Sequence, residues 1–174
     1  MKTKIVAALM LIGLSVQQMA CKKDVSDGSI SVSMTDAPAD YQEVNVEVIG
    51  LEVNHEKEGW LTIPIKAGIY NLLELQNNVT VLLADEVRIP AGAITQMRLI
   101  LGTNNSLVTT TGAYSLKVPS GAETGLKVNV NQVIAPKGNL QIVLDFDAFA
   151  SIVVQGNGSF SLKPVIKIKS VIQS

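Results

Sequence analysis

The sequence predicts an all-β domain, an antiparallel β-sandwich of about nine or ten strands with an immunoglobulin-like or a transthyretin-like Greek-key topology. Apolar and β-branched residues alternate with polar ones in short runs, and Gly, Asn, Pro or Ser separates the runs at regular spacing. This pattern is typical of two antiparallel sheets packed face to face. Helical periodicity is not sustained in the body of the sequence. The sequence leaves the choice between the two topologies open.

The first half of the domain shows clear alternation in three runs. The alternating positions are Ile30, Val32 and Met34, then Val44, Val46 and Val48, and later Thr95, Met97, Leu99 and Leu101. Gly50 interrupts the second run before Leu51, which predicts a β-bulge. A further strand over residues 60–63 ends at Pro64, and proline confines a strand to the edge of a sheet.

The second half predicts two hairpins and two long strands. Thr111-Gly112 and Gly156-Asn157-Gly158-Ser159 are turn sequences between apolar runs, so each predicts a hairpin. Residues 126–131 and 140–147 alternate apolar and polar side chains as half-buried strands do. Pro164, inside the last apolar run, predicts an edge or a bulge. We expect single helical turns only near Ala37–Gln42, Leu72–Leu75 and Val81–Ala84.

The first 21 residues have the layout of an export signal. A basic start with Lys2 and Lys4 precedes an apolar stretch over residues 5–16, and the small residue Ala20 precedes Cys21, the only cysteine of the sequence. This layout predicts a secretory signal peptide. The apolar stretch is shorter than the roughly 20 residues that a membrane-spanning helix needs.

A cysteine directly after the cleavage point resembles the bacterial lipoprotein signal, in which the thiol is acylated. We therefore expect cleavage between Ala20 and Cys21, acylation of Cys21 (palmitate) and a stable membrane anchor. The protein would be exported and anchored to the bacterial outer membrane, facing the cell surface or the periplasm. The usual signal has Leu where this chain has Gln18. The alternative is an ordinary signal peptide cleaved elsewhere, which would leave a free thiol.

These features divide the chain into three parts. Residues 1–20 are the predicted signal peptide, residues 21–28 the lipidated cysteine and a polar spacer, and residues 29–174 a single β-sandwich domain. The net charge of the whole chain is −1 and no basic patch occurs, which excludes nucleic acid as an expected partner. One cysteine cannot form a disulfide within the chain, so stability must come from packing.

Several segments together resemble a bacterial and archaeal family, the domain of unknown function 4382, over about residues 29–168. Its resemblance is carried by Met34-Thr35-Asp36-Ala37-Pro38, Tyr70-Asn71-Leu72-Leu73-Glu74-Leu75, Ile89-Pro90-Ala91-Gly92, Gln96-Met97-Arg98-Leu99, Pro119-Ser120-Gly121, Gly125-Leu126-Lys127, Leu144-Asp145-Phe146-Asp147-Ala148 and Leu162-Lys163-Pro164-Val165. Members of this family often look lipid-anchored or secreted, which agrees with Cys21. The family has no established activity, so the resemblance implies no catalytic residue.

Four aspartates are the candidate cation ligands. Asp145 and Asp147 lie two residues apart on a predicted strand and would project from one face about 7 Å apart. Asp36 and Asp40 could complete a Ca²⁺ site, since Ca²⁺ prefers oxygen ligands. The structural interpretation is a solvated sheet face for the pair, with Lys163 or Lys127 compensating its charge. In that interpretation Asp36 caps a helical turn that begins at Ala37.

Other candidates for chemistry are few. His55, the only histidine, is expected to be exposed in a turn, and no second histidine exists for a zinc site or a catalytic triad. The Asp pair could also suggest a glycosidase, but no cleft-lining aromatic set accompanies it. Four rings could stack on a sugar or fill an interface, although core or sheet-edge positions are the commoner role of such residues. They are Tyr41, Trp60, Tyr70 and Tyr114.

The sequence therefore predicts a membrane-anchored envelope protein that is not an enzyme. Its sandwich would bind or assemble, with a glycan, peptide or protein as ligand and no cofactor. The alternatives that the residues leave open are a Ca²⁺-dependent binding module built on Asp36, Asp145 and Asp147, and a hydrolase. Three Asn-x-Ser/Thr triplets, at Asn78, Asn104 and Asn157, are expected to be turns.

Overall fold

The computed structural model describes residues 26–119 and 125–174, and it confirms the all-β sandwich. These residues form thirteen strands, a few more than the sequence predicts. The last predicted run is divided around Pro164, and residues 68–71 and 81–90 form strands that the sequence does not predict. The strands are β1 (Asp27–Asp36), β2 (Glu43–His55), β3 (Gly59–Ile63), β4 (Gly68–Asn71), β5 (Val81–Pro90), β6 (Gly92–Leu101), β7 (Ser106–Thr109), β8 (Gly112–Ser115), β9 (Leu126–Ile134), β10 (Asn139–Phe146), β11 (Ile152–Val154), β12 (Phe160–Leu162) and β13 (Ile166–Gln173).

One sheet contains four strands in the order β13-β10-β1-β5. β1 pairs with β5 and β10 pairs with β13 in antiparallel fashion, whereas β1 and β10 run parallel, with Ile30 opposite Leu140. A parallel pair needs a long connection between its strands, and here the whole second sheet lies between β1 and β10 in the chain. Local alternation could not reveal this pairing.

The larger sheet is organised around β2, the longest strand. Its main path is β8-β7-β2-β6-β9. Strands β3 and β4 lie off this path, and each pairs with β2. The register of β2 against β6 shifts between Val48 and Gly50, which is the predicted bulge. Strand β3 ends at Ile63, so Pro64 closes an outer strand as predicted.

The inward positions of both sheets form one core. Every alternating apolar position that the sequence indicates in β1 and at Val44, Val46 and Val48 in β2 is buried. Strand β10 contributes Leu140, Ile142, Leu144 and Phe146 to the same cluster. A core of this kind stabilises the sandwich mainly through burial of apolar surface, and no disulfide is needed to explain it.

The three predicted helical turns have different outcomes. A 3₁₀ turn at Leu72–Leu75 is present, with Asn71 as its N-cap. Residues 37–42 form bends without a helix, and Val81–Ala84 belongs to β5, so those two predictions are wrong. Pairing with β1 explains the second error, since Val32 faces Ala84 and Met34 faces Val81 in the sheet.

Both predicted hairpins are confirmed, at residues 110–111 between β7 and β8 and at residues 155–159 between β11 and β12. Pro164 lies between β12 and β13 and separates them. A short helix, α1 (Ala148–Ser151), follows β10 and was not predicted. Within the described ranges, no helix is both long and apolar enough to cross a membrane.

Candidate functional site

Asp36 lies at the end of β1 and is only 2% exposed. Its Oδ1 accepts a hydrogen bond of 2.8 Å from the backbone N–H of Ala148, the first residue of α1, and its Oδ2 has no partner among the described residues. Burial raises the pKa of Asp36 to about 6, and the charge of Asp145 adds to the rise, while the hydrogen bond from the Ala148 N–H partly offsets it. The predicted cap of a turn at Ala37 is therefore wrong, because Asp36 binds the start of a distant helix instead.

Asp145 and Asp147 do not share a solvated face. Asp145 is 7% exposed and forms a 3.1 Å salt bridge through Oδ2 with Lys167, while its Oδ1 lacks a partner among the described residues. Lys167 reaches it because β13 places that residue directly opposite Asp145. The predicted compensation by Lys163 or Lys127 is wrong for this reason. Asp147 is the N-cap of α1, and its Oδ1 accepts from the N–H of Ala150 at 2.9 Å.

The strand register separates the candidate cation ligands. Asp36 lies opposite Phe146 and Asp145 lies opposite Thr35, and successive residues of a strand project to opposite faces of the sheet. Asp40 is exposed. Within the part of the chain that the structure describes, no three His, Cys, Asp or Glu side chains are grouped so that they could hold a metal ion.

His55 is buried, with 2% of its surface exposed, so the predicted exposed position is wrong. It is the last residue of β2, and its Nδ1 accepts hydrogen bonds of 3.2 Å from the backbone N–H groups of Lys57 and Glu58. The Nε2 atom faces Gly92, where an added Cβ would approach it to 2.5 Å. His55 thus holds the β2–β3 turn.

The aromatic candidates have separate roles. Arg98 covers the ring of Trp60 at 4.3 Å and also forms a salt bridge with Glu52, so this ring is occupied. The Tyr70 hydroxyl donates to the Lys66 carbonyl, and Tyr41 packs against the core. Tyr114 lines a cavity, and its ring packs against Phe160 with centroids 4.7 Å apart.

That cavity is an open groove of about 650 Å³, which we call the polar groove. The start of β2, the β6–β7 loop and the β7–β8 hairpin form it. Six of its nine lining residues carry an amide or an aliphatic hydroxyl, although apolar atoms make up more of the lined surface; the six are Asn45, Thr103, Asn104, Asn105, Ser106 and Ser115. Ile69, Ala113 and Tyr114 supply the apolar part. Among the described residues, no charged side chain lines it.

A second cavity of about 350 Å³ shares Thr103 and Ser115 with the polar groove. Its wall is more apolar, with Leu101, Leu116 and Val118, and Lys117 is its only charged residue among those described.

Glu47 holds the β6–β7 loop that forms one wall of the polar groove. Its Oε2 accepts from the Asn104 backbone N–H at 2.9 Å and its Oε1 from the Asn104 side-chain amide at 3.2 Å. The Glu47 backbone N–H donates to Asn105 Oδ1 at 2.9 Å. Hydrogen bonds from Asn104 lower the pKa of the Glu47 carboxyl below its usual value. The loop therefore lies on a carboxylate that is held in its charged form.

The polar groove was not predicted from the sequence. Asn45 is a polar position in Glu43-Val44-Asn45-Val46-Glu47, which resembles the outer face of any strand, and Asn104 was interpreted as a turn residue. The signal in the sequence is the run Gly102-Thr103-Asn104-Asn105-Ser106, five small or amide residues that join β6 to the start of β7. Nothing in that run indicates that it packs beside β8.

Comparison with known families gives one match, to a domain of unknown function (DUF4382), over residues 27–164. The chain belongs to the DUF4382 family. The matched range begins at the first residue of β1 and ends just before β13, so it covers most of the DUF4382 sandwich described above. The same search of curated proteins and of solved structures gave no match.

The DUF4382 assignment confirms the resemblance and adds no functional residue. Ala20 and Cys21, the predicted cleavage and acylation positions, lie outside the described residues. Export and anchoring therefore stay predictions from the sequence.

Proposed function

We propose that the chain is an exported, lipid-anchored and non-catalytic protein of the bacterial envelope that binds a neutral glycan in the polar groove. The observation that carries this proposal is the lining of the groove, which combines uncharged amides and hydroxyls with one tyrosine ring. Ligand sites usually combine apolar surface with a few polar groups that fix orientation.

The chemistry of the lining fits a sugar better than an anionic ligand. Sugar hydroxyls both donate and accept hydrogen bonds, as do the side chains of Asn, Ser and Thr. The ring of Tyr114 gives the apolar face of a pyranose a surface to pack on. An anionic ligand would be repelled by the carboxylates of Glu43 and Glu47, which lie against Asn45 and Asn104 beside the groove.

The absence of acid–base groups in the lining supports a non-catalytic role. General acid–base catalysis needs a His, Asp, Glu, Lys, Tyr or Cys within hydrogen-bonding distance of the reacting atom. The described lining offers only the Tyr114 hydroxyl of that set, and this hydroxyl shares a 3.0 Å hydrogen bond with Thr111. His55 and the aspartates do not line the polar groove.

The anchor part of the proposal rests on Cys21 and on the short spacer behind it. Six positions separate Cys21 from the start of β1, a reach of about 20 Å when extended. The domain would therefore stay close to the membrane. Mass analysis of the protein from membranes should find residues 1–20 removed and Cys21 acylated, and Cys21→Ser should move the protein to the soluble fraction. An unmodified thiol at Cys21 would overturn the anchor.

A glycan array probed with the full chain in detergent tests the ligand. We expect neutral oligosaccharides to bind, and a hit should be quantified by calorimetry. Tyr114→Ala and Asn45→Ala should each lower the affinity for that glycan about threefold to tenfold, which is the effect of losing one polar or aromatic contact. Asn129→Ala is the matched control, because Asn129 is an exposed asparagine on β9 away from the groove.

Three outcomes distinguish the candidates. Weaker glycan binding by Tyr114→Ala and Asn45→Ala, with unchanged binding by Asn129→Ala, supports the groove as the binding site. If none of these variants alters glycan binding, the sugar binds elsewhere on the protein, and the proposed binding site is overturned. A chain that binds no neutral glycan but captures extended peptides would favour the peptide-binding alternative.

A further inference from the structure

Strand β2 brings two glutamates next to the two asparagines of the polar groove. Glu43, Asn45 and Glu47 alternate with the buried Val44 and Val46, so all three project from one face of β2. The β6–β7 loop crosses this face and carries Asn104 to Glu47. Each asparagine thus has a carboxylate partner.

The amide donors of Asn45 are both used within the protein. Its Nδ2 donates to Glu43 Oε2 at 2.9 Å and to Ser106 Oγ at 3.3 Å. An asparagine side chain has two N–H donors and one carbonyl acceptor. The hydrogen bonds to Glu43 and Ser106 therefore leave the Oδ1 carbonyl of Asn45 as the group that can bind a ligand.

Asn104 is held in a similar way by Glu47. Its backbone N–H and one side-chain N–H both donate to this carboxylate. The contact is close, because an added Cβ at Gly102 would lie 1.9 Å from Glu47 Oε2. The neighbouring Asn105 is 3% exposed and fixed at both ends of its amide, to Glu47 N and to the Gly102 carbonyl. The loop is therefore fixed in one arrangement.

We infer that Glu43 and Glu47 determine the specificity of the polar groove, by holding the amide donors of Asn45 and Asn104 so that their carbonyl oxygens are presented to the ligand. This inference rests on the proposed function. A groove of this kind selects a ligand that donates hydrogen bonds, which for a neutral sugar means free hydroxyl groups. A sugar whose hydroxyls are blocked or replaced by acceptors alone binds less tightly, because it loses the hydrogen bonds to these two carbonyl oxygens.

The amide arrangement can be tested without a sugar. In ¹⁵N-resolved NMR spectra of the full chain in detergent, Glu47→Gln should shift the side-chain amide resonances of Asn104, and Glu43→Gln those of Asn45. Glu58→Gln is the matched control, because Glu58 is exposed in the β2–β3 turn. Unchanged asparagine resonances in both groove variants overturn the inference whatever the ligand is.

The selectivity is tested with matched sugars. For the best neutral glycan, each hydroxyl is replaced in turn by hydrogen or by fluorine, which cannot donate a hydrogen bond. At the contacting hydroxyls, we expect both replacements to weaken wild-type binding equally, about fivefold to tenfold. Glu47→Gln and Glu43→Gln should weaken binding of the parent sugar by a similar factor and reduce the difference in affinity between the parent and the modified sugars. Glu58→Gln should leave the affinity and this difference unchanged.

The possible failures are distinguishable. A wild-type chain that binds no neutral glycan overturns the proposed function and, with it, the role of the glutamates in choosing the ligand. A wild-type chain that binds the parent and the fluorinated sugars equally, or a Glu47→Gln chain that binds with unchanged affinity and selectivity, overturns only this inference. A melting temperature close to that of the control variant Glu58→Gln shows that each groove variant is folded.

Discussion

The Asp36 carboxylate accepts a 2.8 Å hydrogen bond from the backbone N–H of Ala148, which lies 112 positions later in the chain. The bond joins the end of β1 to the start of α1, directly beyond the parallel pairing of β1 with β10. Asp147 occupies the same helix start as its N-cap. Two carboxylates therefore bind the N–H groups of a single helical turn, which a helix N-terminus favours.

Asp36 should make the stability of the protein depend on pH. Its pKa is about 6 in the folded protein against an ordinary value of 3.8, because burial disfavours the charge. Because this pKa is raised, the stabilisation of the folded state by protonated Asp36 is fully present below pH 4 and is lost as the pH rises through 6. Asp36→Asn should remove this part of the pH dependence, a change of up to about 3 kcal/mol and less where water reaches the carboxylate.

Urea unfolding from pH 4 to pH 8 measures this effect. The wild type should lose stability across that window relative to Asp36→Asn, and the two profiles should converge at the acidic end. Asp40→Asn is the control, since Asp40 is exposed. Parallel profiles for Asp36→Asn and the wild type would show that Asp36 keeps an ordinary pKa.

The salt bridge between Lys167 and Asp145 should stabilise the folded protein more than a salt bridge between two exposed side chains does. Lys167 is largely exposed but Asp145 is buried, and a buried carboxylate without its counter-charge is costly. Lys167→Met should lower the free energy of unfolding by about 1–3 kcal/mol. Lys163→Met, at an exposed lysine nearby in the chain, should have almost no effect.

A double variant isolates the charge contribution. Asp145→Asn removes the unpaired charge, so Lys167→Met should cost much less in that background, as chemical denaturation would show. Equal losses from Lys167→Met in both backgrounds would mean that the side-chain packing of Lys167, and not its charge, stabilises the sheet.

Calcium should leave the thermal stability of the full chain unchanged. The register sends Asp36 and Asp145 to opposite faces of their sheet, and Asp147 is engaged by α1. A cation that binds the folded state well above its Kd must raise the melting temperature. Scanning calorimetry with millimolar Ca²⁺ and with a chelator should give the same curve. A rise that Asp145→Asn abolishes would restore the cation-binding interpretation.

The sequence predicts the core faces of the strands well because alternation is a local property. Ile30, Val32 and Met34 are buried as their spacing requires, and the bulge at Gly50 is where the break in alternation indicates. Pairing between distant strands is not local. The parallel register of β1 with β10 brings Lys167 to Asp145 and Asp36 to α1, and no short stretch of sequence contains that information.

The candidate site was harder to predict for the same reason. His55 stands in a polar segment that looks exposed, yet β2 continues to that residue and Gly92 from β6 packs on its ring. The polar groove combines residues near positions 45, 104 and 114, each of which is ordinary in its own segment. Their polarity was visible in the sequence, but their proximity depends on how β2, β7 and β8 pair.

The contact between Gly92 and His55 should make Gly92→Ala destabilising. A Cβ at Gly92 would lie 2.5 Å from His55 Nε2, and the ring cannot move away freely because its Nδ1 holds the turn at Lys57 and Glu58. Forcing an extra methyl group into a packed site costs about 1–3 kcal/mol, and the φ of +154° at Gly92 adds strain for any residue with a Cβ. Gly68→Ala, at a position with open space around it, should be close to neutral in the same thermal unfolding experiment. Equal stability of the two variants would contradict the packing of His55 against Gly92.

Gly102→Ala should damage the polar groove more than the fold. The added methyl group would lie only 1.9 Å from Glu47 Oε2, so either the Glu47 side chain or the β6–β7 loop must move, and either movement breaks the hydrogen bonds from Asn104 to Glu47. The loop lies outside the core, so we expect a loss of about 1–2 kcal/mol in stability but at least a tenfold loss in affinity for the best neutral glycan. Gly156→Ala, in the β11–β12 turn with open space around it, is the control. Calorimetric binding and thermal unfolding of both variants check this, and full affinity in Gly102→Ala would show that the position of the loop does not matter for the ligand.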